Sequence, residues 1–122
     1  MAATASVNIS GTITNLPTGG KTIGTITATS AAANGVTTQV VLQAGANTIT
    51  VPTTPAPTGC VIQLPSTNTS VTTLKGITGD TGIAIGKTTF HMICFDPTAL
   101  PASFVLTSVS TQTGLVTEIT FF

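Results

Sequence analysis

Apolar residues alternate with threonine, serine or asparagine along most of this chain, and Gly, Pro and Asn cut the alternation into short runs. A period of two puts every second side chain on one face of a pleated strand, whereas an amphipathic helix needs a period of 3.6. The pattern therefore predicts an all-β chain. Val7, Ile9 and Ile13 share one face of a strand over 7–13. A second run, 22–29, follows the turn signal Leu16-Pro-Thr-Gly-Gly20. Ile23 and Ile26 would fall on opposite faces of a regular strand there, so Gly24 is expected to mark a bulge. Residues 36–43 turn Val36, Val40 and Leu42 inward and Thr37, Gln39 and Gln43 outward, with 47–51 as the hairpin mate across Ala44-Gly45-Ala46.

Shorter strands are expected over 60–64, 71–77 and 83–85. The run 88–95 is apolar on both faces, the mark of a central strand. Residues 104–111 and 115–122 read as a closing hairpin around Gln112-Thr-Gly114. The Pro-rich segment 52–59 cannot donate a regular ladder, and neither side of it has the length for a separate core, so it reads as a loop or a crossover between sheets. About nine or ten strands at this spacing predict a single-domain antiparallel β-sandwich over 1–122, with a jelly-roll-like arrangement favoured.

Threonine fills 29 of the 122 positions, while only Lys21, Lys75, Lys87, Asp80, Asp96 and Glu118 carry charge. Charged residues make up 5% of the chain, against about 25% in ordinary domains. Disorder needs low hydrophobicity with high net charge, and a 41% hydrophobic fraction at net charge zero meets neither condition. A neutral surface favours association. Without arginine, three scattered lysines cannot neutralise a phosphate backbone, so nucleic acid is excluded as an expected partner. Without Trp or Tyr there is nothing to stack on a sugar ring.

The first residues, Met1-Ala-Ala-Thr-Ala-Ser-Val7, lack the basic start and apolar stretch of a signal peptide, and no window approaches about 18 consecutive apolar residues. The expectation is a protein that is neither exported nor in a membrane, with Cys60 and Cys94 both reduced and buried.

Few residues offer chemistry. Asp80-Thr81-Gly82 is the central tripeptide of aspartic proteases, whose retroviral-type members are small all-β homodimers with one carboxylate from each subunit. The flanking Gly79 and Ile83 depart from that family's pattern, and Gly79-Asp-Thr-Gly82 equally suits a tight turn. His91 shares a strand face with Ile93 and Phe95 and reads as a half-buried structural histidine. A lone histidine makes no typical zinc site. Thr-x-Thr pairs occur at irregular intervals, unlike the fixed period of an ice-binding solenoid. The terminal Thr-Phe-Phe122 is similar to the last strand of outer-membrane barrels, but a final strand docked in the core explains it without aromatic girdles. Asn8-Ile-Ser10 and Asn68-Thr-Ser70 match the glycosylation sequon, a pattern common by chance and unsupported here by a secretion signal. No catalytic residue, cofactor or metal site is expected.

The segment Leu74-Lys-Gly-Ile-Thr-Gly-Asp-Thr-Gly-Ile-Ala-Ile85 resembles a stretch found in small β-structured virion proteins of tailed bacteriophages, of the decoration, minor capsid and tail-accessory type. The resemblance implies a non-enzymatic subunit in the virion, assembled in the host cytoplasm, whose partners are itself and other virion proteins such as major capsid or tail proteins. Lys75, Gly79, Asp80, Thr81 and Gly82 are the expected assembly loop. An exported bacterial surface or pilus subunit is the first alternative and the aspartic protease the second.

Overall fold

The computed structural model describes residues 5–13, 21–30, 36–54, 56–96 and 98–122, with side chains from Val36 onward. Among the described residues all ten elements are strands: β1 (Ala5–Ile13), β2 (Lys21–Ser30), β3 (Val36–Val40), β4 (Gly45–Thr50), β5 (Gly59–Gln63), β6 (Thr72–Lys75), β7 (Ile83–Ile85), β8 (Phe90–Cys94), β9 (Ser103–Ser108) and β10 (Thr117–Phe121).

β1 and β2 form an antiparallel ribbon. Ile9 stands opposite Ile26 and Gly11 opposite Ile23, so Gly24 and Thr25 together face Ser10 alone. This is the bulge expected at Gly24. The extra residue resets the alternation, so Ile23 and Ile26 take register positions on the same side as Val7, Ile9 and Ile13.

The other eight strands form two four-stranded antiparallel sheets, sheet I in the order β3-β10-β5-β8 and sheet II in the order β4-β9-β6-β7. The pairing is nested: β3 with β10, β4 with β9, β5 with β8 and β6 with β7. A long antiparallel ribbon rolled once so that β10 meets β5 and β9 meets β6 gives this order, which is that of a jelly roll. The fold is thus the expected all-β sandwich, and the segment before Gly59 crosses from sheet II to sheet I as predicted.

Nesting overturns both predicted hairpins. β3 and β4 lie in different sheets, as do β9 and β10. Leu42 is the physical reason for the first: it is fully buried and carries the chain through the core edge instead of around a surface turn. Gln112 is the reason for the second. It is only 3% exposed, its N–H donates to the Leu42 carbonyl (2.8 Å), and its Nε2 donates to Thr72 Oγ1 and Ser108 Oγ. These donated bonds tie the β9–β10 connection to the body of the sandwich, while Gln112 Oε1 is buried without a partner.

Between the sheets Leu42, Ile49, Val51, Cys60, Ile62, Leu64, Phe104, Leu106, Ile119 and Phe121 form the core. Each large side chain taken fully from water contributes about 1.5–3 kcal/mol. Threonine is not confined to the surface, because Thr72 and Thr117 are completely buried. Phe122 lies across the strand from the core face and is 3% exposed, strapped by its carbonyl to the N–H groups of Thr58 and Gly59. Gly59 is required beneath it: an added Cβ would sit 2.5 Å from the Ile93 carbonyl oxygen and 2.8 Å from Phe122 Cζ. Gly59→Ala is expected to lower the unfolding free energy by about 1–3 kcal/mol, measured by urea denaturation.

The two-sided strand over 88–95 is an edge, not the centre of a sheet. β8 pairs with β5 alone, and Phe90 is 65% exposed. Cys60 is buried as expected, but Cys94 is not. Cys60 pairs with Ile93 and faces the core, so the next residue, Cys94, points to the other face and is exposed. Opposite faces also bar a disulfide between them. Burial, with the Cys94 side chain adding to it, pushes the Cys60 thiol from 9.0 up to about 12. A thiol reagent should therefore modify Cys94 alone in the native protein and both cysteines in denaturant. Because the unfolded chain loses the Cys60 proton first, this contribution to stability is full below pH about 9 and is lost as pH rises toward 12. Urea midpoints across that range should fall in the wild type and lose this slope in Cys60→Ala.

Candidate functional site

β6 and β7 form the innermost hairpin of the roll, and the loop between them carries the expected assembly residues. Lys75 ends β6 opposite Val105, half-buried. The chain then makes a four-residue turn in which the Asp80 N–H donates to the Ile77 carbonyl (3.1 Å) and Asp80 Oδ2 accepts the Ile77 N–H (2.9 Å). The turn thus spans Ile77 to Asp80 instead of starting at Gly79, and holds Ile77 out at 67% exposure. Asp80 acts as a turn-organising carboxylate, its Oδ2 occupied by its own backbone.

Gly82 brings the chain back. Its φ of +72° is a left-handed conformation, and a Cβ there would meet the Leu74 carbonyl oxygen and Lys75 Cγ, each at 2.5 Å. Only glycine lets β7 lie this close to β6. Gly79 differs, with open space around it.

Beside this loop the sandwich is open. β7 ends sheet II and β8 ends sheet I, and a groove of about 540 Å³ runs between them. Leu74, Ile83, Ile93, Phe95 and Phe104 make its apolar wall, joined by Lys75, Asp80 and Gly82. The structure thus brings three of the five expected loop residues to one groove, while Gly79 and Thr81 stand exposed away from it. The groove residues Ile93 and Phe95 were visible in the sequence only as half of a two-sided apolar run.

The remaining polar groups are structural. His91 Nε2 lies 3.1 Å from both Thr89 Oγ1 and the Gly86 carbonyl oxygen, as a half-buried structural histidine should. Among the described residues, no three His, Cys, Asp or Glu side chains gather as metal ligands. Thr98 holds the Asp96 carboxyl below its usual range through hydroxyl and backbone N–H bonds (2.6 and 2.8 Å). On the outer face of sheet I, Gln39 Nε2 donates to Glu118 Oε1 (2.6 Å), beside a smaller depression of about 260 Å³. Asn68 is 3% exposed, with Nδ2 bonded to the Ser70 and Lys87 carbonyls, so the sequon amide is enclosed. The groove is mostly apolar, with Asp80 and Lys75 as the charged side chains in its lining.

The two glycines separate shape from sequence. Gly82→Ala should destabilise by about 1–3 kcal/mol through its left-handed backbone, whereas Gly79→Ala should stay within about 0.5 kcal/mol of wild type in urea denaturation. No family model matches the chain, and neither a curated protein nor a solved structure matches it.

Proposed function

We propose that this chain is a non-enzymatic structural subunit of a tailed-phage particle, a capsid decoration or cement protein or a minor head, neck or tail component. It works by self-association and by packing against other virion proteins. The observation that carries the reading is the open side of the sandwich. There Ile77 (67% exposed), Ile83 (71%) and Phe90 (65%) stand in water on or beside two free strand edges. Large apolar groups standing on such edges mark a surface that is covered when the protein works.

Two further features support it. The segment that resembles phage structural proteins, Leu74 to Ile85, is the β6–loop–β7 hairpin on this open side. The few charges also leave little to desolvate when copies pack together, so weak contacts repeated by symmetry add up. Jelly rolls serve in viral capsids and also in lectins and cupins, so the fold is compatible with the reading without selecting it.

Sedimentation velocity over a concentration series should show reversible self-association, and phage particles purified from the host that carries the gene should contain the chain in fixed proportion to the major capsid or tail protein. A strictly monomeric protein that binds neither capsid nor tail would overturn the proposal.

A further inference from the structure

The two sheets end in four edge strands, and these are protected to very different degrees. β7 is only three residues long, a short row of N–H and C=O groups to offer another strand. β4 presents Thr48 and Thr50 to solvent. The outward side chains of β3 are already engaged, Thr37 with Thr120 and Gln39 with Glu118. β8, Phe-His-Met-Ile-Cys over residues 90–94, has no charge, no proline and no register shift along its ladder with β5. Edges that stay unpaired carry such devices, because a bare row of N–H and C=O groups is a template for another strand.

We propose that β8 is the edge through which two copies of this chain join, antiparallel and related by a two-fold axis at Met92, making one eight-stranded sheet from two copies of sheet I. This rests on the self-association in the proposed function and names its contact. The strand is its own complement. In that register Met92 meets the partner's Met92, Phe90 meets the partner's Cys94, and His91 meets the partner's Ile93. No lysine, aspartate or glutamate is buried by the pairing, and a chain of net charge zero offers no long-range repulsion to a second copy. Phe90 and Met92 lie on the outer face and gain cross-strand neighbours there. On the inner face, Ile93 of each copy extends the apolar wall of its own groove toward its partner.

Sedimentation velocity on the full chain tests the contact. Met92→Lys places two like charges face to face at the axis and should raise the dimer Kd about tenfold or more. Thr37→Lys, on the opposite edge of the same sheet, should leave the Kd unchanged. Independently of any folding defect in the lysine variant, Phe90→Cys should give a disulfide-linked dimer under mild oxidation, since directly opposed residues have Cβ atoms about 4.5–5.5 Å apart. Adding Cys94→Ser to that variant should abolish the link. A dimer indifferent to Met92→Lys, or disrupted by Thr37→Lys, with no link from Phe90→Cys, would overturn the β8 contact and leave self-association standing. A chain that remains monomeric at every concentration would overturn both.

Discussion

Everything in the sandwich is wound inside the ladder between β3 and β10, which joins Val36 to Phe121 and Val40 to Thr117. Closing so long a loop is entropically expensive, and the return comes only when both inner faces are buried together. Charge does little of that work, since the chain has six charged side chains and several hold local turns or outer-face contacts instead of bridging the sheets. Apolar burial and backbone ladders hold the two layers, with Gln112 tying the crossing connections at one end.

The same winding explains why one side stays open. In a rolled ribbon the innermost pair is the shortest, and here β7 has three residues against five in β8. The short strand cannot cover the inner face of the long one, so Ile93 and Phe95 are left lining a groove instead of completing the core. The left-handed turn at Gly82 fixes where β7 begins, and the Asp80-closed turn fixes what stands beside it. Backbone requirements of a tight hairpin thus determine the shape of an apolar surface several residues away.

Much of this was legible in the amino-acid sequence, but unevenly. Period-two alternation located the strands, and the clash of Ile23 with Ile26 in that alternation located the bulge that the β1–β2 pairing realises at Gly24 and Thr25. Pairing was not legible, because turn residues announce a reversal of the chain without saying which sheet it returns to. Ala44-Gly45-Ala46 looks like a hairpin turn, and Gly45 does take a left-handed φ of +94°, yet the buried Leu42 just before it sends the chain to the other layer. The run 88–95 carried a correct signal with two meanings: a strand apolar on both faces is either central or an edge with a groove beneath it. For Cys94 the parity against Cys60 depends on the β5–β8 register, which no local pattern contains. The loop at 75–82 was found through composition and resemblance, while Ile93, Phe95 and Phe104 came to the groove only through the topology.

The position of β10 has a consequence for the order of events during synthesis. It lies between β3 and β5 in the middle of sheet I, so that sheet has no centre until residue 121 has left the ribosome. Until then β3 has no ladder to join it to the β5–β8 pair. Sheet II and the β5–β8 pair can form before that point, so β3 and the β10-facing edge of β5 are what wait for β10. Threonine set between the isoleucines and valines keeps long apolar runs scarce in those waiting strands, and short apolar runs offer less to premature strand pairing.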